Sequence, residues 1–180
     1  SPKRMLTTSL AFQDILLEMV PVEHFIATSV SAADPNYSMT AALSKKIPNK
    51  YRPRITVEQV LKYKPDLFLT TPLTNPEVSS TLEDMGVKVF MLNQAETYDD
   101  IKKSIIKLGN LVNEKEKSAA ILQKMEAGEK ALAEKLAVIP KDKQKLAIQL
   151  TYSGTYGMLQ NIFGMLCDLA HVKNGMAIMP

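Results

Sequence analysis

TYDDIKKSIIKLGNLVNEKEKSAAILQKMEAGEKALAEKLAVI, residues Thr97–Ile139, reads as helix almost from end to end. Tyr98, Ile101, Ile105, Leu108 and Val112 recur at spacings of three and four, which places them on one apolar stripe. Asn113 and Glu114 interrupt the stripe, and Asn113 is expected to cap a second helix, with Glu116 reaching back from its third position. That second helix carries Ile121, Met125, Leu132, Leu136 and Ile139 on one side and Lys and Glu elsewhere. At 1.5 Å per residue, Glu114–Ile139 would extend for about 39 Å, more than one small domain needs. Short strands and helices alternate before this stretch, and the alternation starts again after it. The pattern predicts a strut between a finished α/β domain and the beginning of another; the alternative is a long helix packed on its own sheet.

A chain of 180 residues with 46% hydrophobic content has room for one domain, or a domain and a piece, with a real core. Its net charge of +3 makes no case for nucleic acid, and the lysines scatter over helix faces as a solvated exterior. There is no apolar run of membrane-spanning length. Ser1-Pro2-Lys3-Arg4 does not read as a signal peptide, although a trimmed chain could have lost one. Cys167 is the sole cysteine, which excludes an internal disulfide; on an apolar helix it is expected to be buried and inert.

Along the chain, Arg4–Thr8 reads as a strand, Leu10–Met19 as a helix opened by Ser9, and Phe25–Thr28 as a second strand. Ile47–Pro53 reads as irregular between its prolines. Thr56, with Gln59 three residues on, caps a helix that runs to Tyr63 and stops at Lys64-Pro65-Asp66. Leu67–Thr71 is the third strand. Asn75-Pro76 starts a helix that Gly86 ends with a left-handed cap, and Val87–Leu92 is the fourth strand. Beyond the strut, Leu146–Leu150 reads as a fifth strand without its own sheet, Gly154–Gly157 as a loop, and Leu159–Ala170 as a last helix. Strand–helix–strand units with short links imply a parallel sheet covered on both faces.

The motifs of common chemistries are missing. No G-x-G-x-x-G follows a strand, and no phosphate loop or nucleophile elbow occurs. His24 and His171 have no Cys, Asp or Glu at metal-ligand spacing. What gathers at the carboxyl ends of the strands, where open α/β sheets bind ligands, is Thr8-Ser9, Ser29–Ser31, Thr70-Thr71 and Asn93-Gln94. These small hydrogen-bonding groups suit holding a ligand better than transforming one, or else they simply cap helices.

Ile55-Thr56-Val57-Glu58-Gln59-Val60-Leu61-Lys62-Tyr63-Lys64-Pro65-Asp66-Leu67 resembles a segment of the ABC-importer substrate-binding proteins for iron–siderophores, haem and cobalamin. There, a capped helix with a glutamate leads to Lys-Pro-Asp and an apolar strand. Leu82–Val89 resembles the next unit of that family, a helix ending in glycine before a strand. The opening strand with its Ser/Thr turn, Asp14-Ile15-Leu16-Leu17, and Leu108-Gly109-Asn110-Leu111-Val112 fit as well. The resemblance covers essentially the whole chain.

It implies an α/β fold: a parallel-sheet, Rossmann-like lobe over residues 1–96, a helical connector with the long inter-lobe helix over 97–144, and the start of a second, truncated α/β lobe over 145–180. It implies an extracytoplasmic solute-binding component, periplasmic or lipid-anchored on the outer face of the membrane. Such a protein is not an enzyme and has no cofactor of its own; it would deliver haem, a ferric siderophore or cobalamin to an ABC permease. The rival reading is a small Rossmann-like enzyme domain, which would need an acidic or nucleophilic cluster at the strand ends. By alignment, the ligand contacts fall on Ser9, Ser31, Tyr37, Arg52, Thr71 and Tyr152. Tyr37 and Tyr152 are the candidates for ligating haem iron, and Arg52 for neutralising an anionic complex. Glu58 aligns with a glutamate that docks onto permease arginines and is expected to lie away from the cleft; a helix-start carboxylate is its other reading. An incomplete second lobe would favour self-association through its bare strand and the stripe Leu159, Ile162, Phe163 and Leu166.

Overall fold

The computed structural model describes residues 1–52, 54–151, 154–155 and 161–177. They form two compact units, residues 1–94 with 106–118, and residues 95–105 with 119–180.

In the first unit the chain runs β1 (Met5–Thr7), α1 (Leu10–Leu17), β2 (Ala27–Ser29), α2 (Ala41–Ser44), β3 (Asn49–Tyr51), α3 (Val57–Tyr63), β4 (Leu67–Thr70), α4 (Pro76–Asp84) and β5 (Val89–Met91). β1, β4 and β5 pair in parallel, as do β2 and β3. A parallel bridge between Met5 and Phe25, with the Ile26 amide donating to Met5 O at 3.1 Å, lays the two sets side by side. The spatial succession is therefore β3-β2-β1-β4-β5. The four strands expected from the sequence are present, shorter than expected. The fifth, β3, falls in the stretch read as irregular. It is an edge strand of three residues between Pro48 and Pro53, too short for alternation to show, and prolines are tolerated beside an edge.

β1 and β4 are buried at every position, as expected for central strands covered on both faces. On one face Leu6, Ala27, Tyr51 and Phe68 pack with Ile55, Val60 and Leu82 from the α3 and α4 side. The pleat turns Met5, Leu67 and Leu69 to the other face, where Phe12 and Leu16 of α1 are also buried. A buried polar chain stiffens α1: Thr28 Oγ1 donates to Gln13 Oε1 at 2.6 Å, and Gln13 Nε2 donates to Ser44 Oγ at 2.7 Å.

The amino end of the sheet is closed by the Lys64-Pro65-Asp66 junction. Lys64 takes a left-handed conformation at the end of α3, and Pro65 blocks continuation of the helix. The Asp66 carboxylate accepts the amides of Lys3 at 2.7 Å and Arg4 at 3.0 Å. The Arg4 guanidinium donates to Lys64 O at 2.8 Å and Tyr63 O at 2.7 Å, two carbonyls that the helix end leaves unpaired.

α5 (Tyr98–Leu111) and α6 (Lys115–Leu136) meet at an elbow. Asn113 closes α5 rather than capping α6. Its φ is +58°, Glu114 N donates to Gly109 O at 2.8 Å, and Asn113 N donates to Asn110 O at 3.3 Å. That pair of bonds is the Schellman closure, which needs a left-handed residue and which asparagine tolerates. A side chain on Gly109 would meet Ser118 Cβ at 2.5 Å, so glycine permits the close approach of the two helices there. Lys117 Nζ donates to Met19 O at 2.6 Å, fastening the start of α6 to the end of the α1 segment.

The second unit holds the start of α5, most of α6 and the segment that follows. Thr97 and Asp100 cap α5 reciprocally, with Thr97 N and Oγ1 donating to Asp100 Oδ2 and Asp100 N donating to Thr97 Oγ1. Along α6, Leu132 is exposed and Ile121, Met125 and Leu136 are half-buried. The stretch read as one strand, Leu146–Leu150, is two: β6 (Leu146–Ala147) and β7 (Leu150–Thr151). β6 is not without a sheet, because it pairs in parallel with β9 (Lys173–Asn174) after α7 (Ile162–Leu169). β7 pairs antiparallel with β8 (Gly154–Thr155). Cys167 is buried on α7, and burial raises its thiol pKa, in keeping with an inert thiol. No helix among the described residues is long and apolar enough to cross a membrane.

Two glycines in neighbouring helices should respond to alanine with opposite signs. Gly109→Ala is expected to destabilise by about 1–3 kcal/mol, because its methyl group collides with Ser118. Gly128→Ala meets nothing within 4 Å on exposed α6 and is expected to stabilise by about 0.5–1 kcal/mol. Urea unfolding of both variants checks the pair; a stabilising Gly109→Ala would contradict the elbow geometry.

Candidate functional site

The chain leaves β1 for β2 and β3 on one side, then returns to β4 and β5 on the other. The reversal between β1 and β4 splays the loops at their carboxyl ends, where ligands bind in open α/β sheets. A cleft of about 920 Å³ opens there, entirely within the first unit. Thr8 and Ser9 line it from the β1 loop, Ser29 and Ser31 from the β2 loop, Thr71, Leu73 and Thr74 from the β4 loop, and Gln94 from beyond β5. Arg54 and Thr56 line it from the β3–α3 connection, Glu58 from the first turn of α3, and Glu77 from α4.

Most of the hydroxyls in this lining are already engaged. Ser9 Oγ accepts from the Phe12 amide at 3.4 Å and caps α1; Ser29 Oγ accepts from Ala32 N at 3.2 Å; Thr71 Oγ1 accepts from Leu73 N at 3.3 Å. Thr8, Thr70 and Thr74 close a triangle of hydroxyls, with separations of 3.0 Å for Thr8–Thr70, 3.1 Å for Thr8–Thr74 and 2.6 Å for Thr70–Thr74. Thr70 is fully buried beneath the other two. Tyr51 ends β3 with its phenol donating to Thr7 O; burial raises its pKa far above the ordinary phenol value, which keeps it a neutral donor. Glu58 is fully exposed at the second position of α3. Hydrogen bonds from Thr56 and from its own backbone hold its carboxyl below the usual range.

Ser9, Ser31 and Thr71, expected from the sequence as ligand contacts, share this cleft. Tyr37 and Arg52 are exposed and lie outside its lining. Tyr152 lies outside the described residues. Glu58 is on the cleft wall, a correction to the expectation that it sits away from it. Arg54, Tyr51, Thr74 and Glu77 were not singled out. Tyr51 sat in the segment misread as irregular, and nothing in Arg54 itself signals a left-handed backbone. No group of three or more His, Cys, Asp or Glu able to hold a metal occurs among the described residues.

Residues 8–174 match the model of a family described as periplasmic binding protein. The chain belongs to this family. Over 104 residues it is 28% identical to the uncharacterized ABC transporter substrate-binding lipoprotein YvrC of Bacillus subtilis (strain 168), covering 56% of this chain but 33% of the relative. Among solved structures it resembles a possible iron-binding (periplasmic solute-binding) protein of Staphylococcus epidermidis ATCC 12228. The TM-score is 0.79 at 18% identity, over 96% of this chain and 67% of that one. It also resembles a periplasmic heme binding protein of Pseudomonas aeruginosa, with a TM-score of 0.77 at 18% identity, over 97% of this chain and 63% of that one. At such identities the likeness is one of fold. The chain spans about a third of the curated relative and about two thirds of these structures. The mixed α/β architecture with a parallel sheet and a long helix, expected from the sequence, is the architecture of this periplasmic binding protein family member.

Thr70→Val keeps the shape of the side chain and removes the hydroxyl beneath the cleft. It should destabilise by about 1 kcal/mol, because Thr8 and Thr74 lose a buried partner. An unchanged urea midpoint would show that the triangle contributes nothing in solution.

Proposed function

We propose that this chain is part of the solute-binding component of an ABC importer, acting outside the cytoplasmic membrane. It captures a chelated metal complex, namely haem, a ferric siderophore or cobalamin, and hands it to a membrane permease. It works by binding rather than by catalysis. The observation that carries this reading is the cleft at the β1/β4 switch point, lined by hydroxyls, amide groups, one arginine and two glutamates. Most of its hydroxyls are tied up in caps and in the threonine triangle, so they present fixed hydrogen-bonding groups rather than an activated nucleophile. Membership in the periplasmic binding protein family supports the same reading. So do the neighbours whose own names specify iron or heme binding.

Ser9, Ser31 and Thr71 are the proposed ligand contacts within the described cleft. Glu58 is the proposed contact with the permease: fully exposed on the first turn of α3, its carboxylate is held ionised by Thr56. The test uses the full-length protein in two assays, iron-complex binding by titration and uptake through the cognate permease. Glu58→Lys, whose side chain lines the cleft, is compared with wild type at ligand concentrations that saturate both proteins. It should depress uptake most at low salt, where charge steering is strongest. Normal uptake with only a lowered Tm would make Glu58 a helix-start residue and remove the docking role. Failure of the wild-type protein to bind any of the three ligand classes would overturn the solute-binding reading.

A further inference from the structure

We propose that the threonine triangle gives the cleft a one-way hydrogen-bonding edge, which accepts from the ligand and does not donate to it. Through that edge the lobe prefers a metal chelate that presents N–H groups over one that presents carboxylates; this rests on the solute-binding reading above. A hydroxyl carries one proton. Thr70 Oγ1 spends its proton on Thr74 Oγ1 at 2.6 Å. The 3.0 Å contact between Thr8 and Thr70 then takes the proton of Thr8, and the 3.1 Å contact between Thr8 and Thr74 takes that of Thr74. Every proton of the ring is used, and the bonds run round it in one direction. Thr70 is fully buried, so only Thr8 and Thr74 line the cleft, each with a lone pair left and no proton.

Backbone contacts hold the edge in place: the Thr8 amide donates to Leu69 O at 3.1 Å, and the Thr74 amide donates to Thr71 O at 3.0 Å. In a closed ring each bond polarises the next, so the ring resists giving up one proton to a ligand. The neighbouring hydroxyls have the opposite polarity. Ser9, Ser29 and Thr71 accept from backbone amides and donate to nothing among the described residues, so their protons remain for the ligand. They can meet a ligand oxygen; the Thr8–Thr74 edge cannot. Charge points the same way, because the carboxylates of Glu58 and Glu77 outnumber Arg54 along the lining. A carboxylate seated at the edge would set lone pair against lone pair and leave a desolvated oxygen unpaired. An N–H there completes a bond.

The test titrates the full-length protein with three matched pairs, one for each ligand class. They are haemin diamide against haemin, cyanocobalamin against its monocarboxylic acid, and ferrioxamine B against its succinylated form, which ends in a carboxylate. In whichever pair binds, wild type should hold the N–H member about threefold to tenfold more tightly. Thr70→Val removes the buried member of the ring and leaves two protons for one bond, so the edge gains a proton to donate. Its preference for the N–H member should shrink or reverse, whereas a purely structural role would weaken both members alike. Thr74→Val, on the surface of the same ring, should reduce the preference too. A wild type that binds both members equally, or favours the carboxylate, would overturn this inference and leave the solute-binding reading intact. So would a preference that survives unchanged in both variants. Wild type that binds no member of any pair would overturn the solute-binding reading and this inference with it.

Discussion

The Asp66 carboxylate, accepting the backbone amides of Lys3 and Arg4, is the contact on which the arrangement of the first unit depends. It joins the start of β4 to the start of β1 across more than sixty residues of chain, in the register in which the two strands pair. Arg4 completes the junction by covering the last carbonyls of α3, so one tripeptide ends a helix, starts a strand and fixes its neighbour. A slip of one residue in β4 would turn Phe68 out of the core it shares with Leu6 and would pull Thr70 from beneath Thr8 and Thr74. The cleft at one end of the sheet thus inherits its geometry from a charge-assisted contact at the other.

At the cleft end the chemistry is of a different kind. Hydroxyls hold one another and the first turns of α1 and α4's preceding loop, and Tyr51 holds the backbone of β1 through a phenol that burial keeps neutral. Such a wall is preorganised: its polar groups do not have to be ordered when a ligand arrives, which removes part of the cost of binding.

The elbow between α5 and α6 shows how a loop of three residues can be specified closely. Gly109 removes a side chain where Ser118 needs the space, Asn113 takes the left-handed turn, and Lys117 reaches Met19 O. Among the described residues three helices close in the same way, through Gly86, Asn113 and His171, each with an amide reaching back five residues. Only the first of these was legible beforehand. Glycine announces a left-handed cap because it has no side-chain penalty, whereas asparagine is equally at home opening a helix, and histidine gives no signal at all.

The sequence by itself determined the class of fold, the order of strands β1, β2, β4 and β5, the capped helix of Thr56, the Lys-Pro-Asp stop and the hydroxyl-bearing strand ends. These follow from local rules of periodicity, capping and turn chemistry that a few adjacent residues satisfy alone. Tertiary structure decided the rest. β3 is three residues long and exists because β2 offers it an edge; β6 finds its partner only after α7, in β9. Arg54, at φ +69° between the buried Tyr51 and Ile55, lines the cleft, and Arg52 does not. The direction of a side chain on a short connection is set by what its neighbours bury, and burial is a property of contacts between distant segments that no local pattern contains.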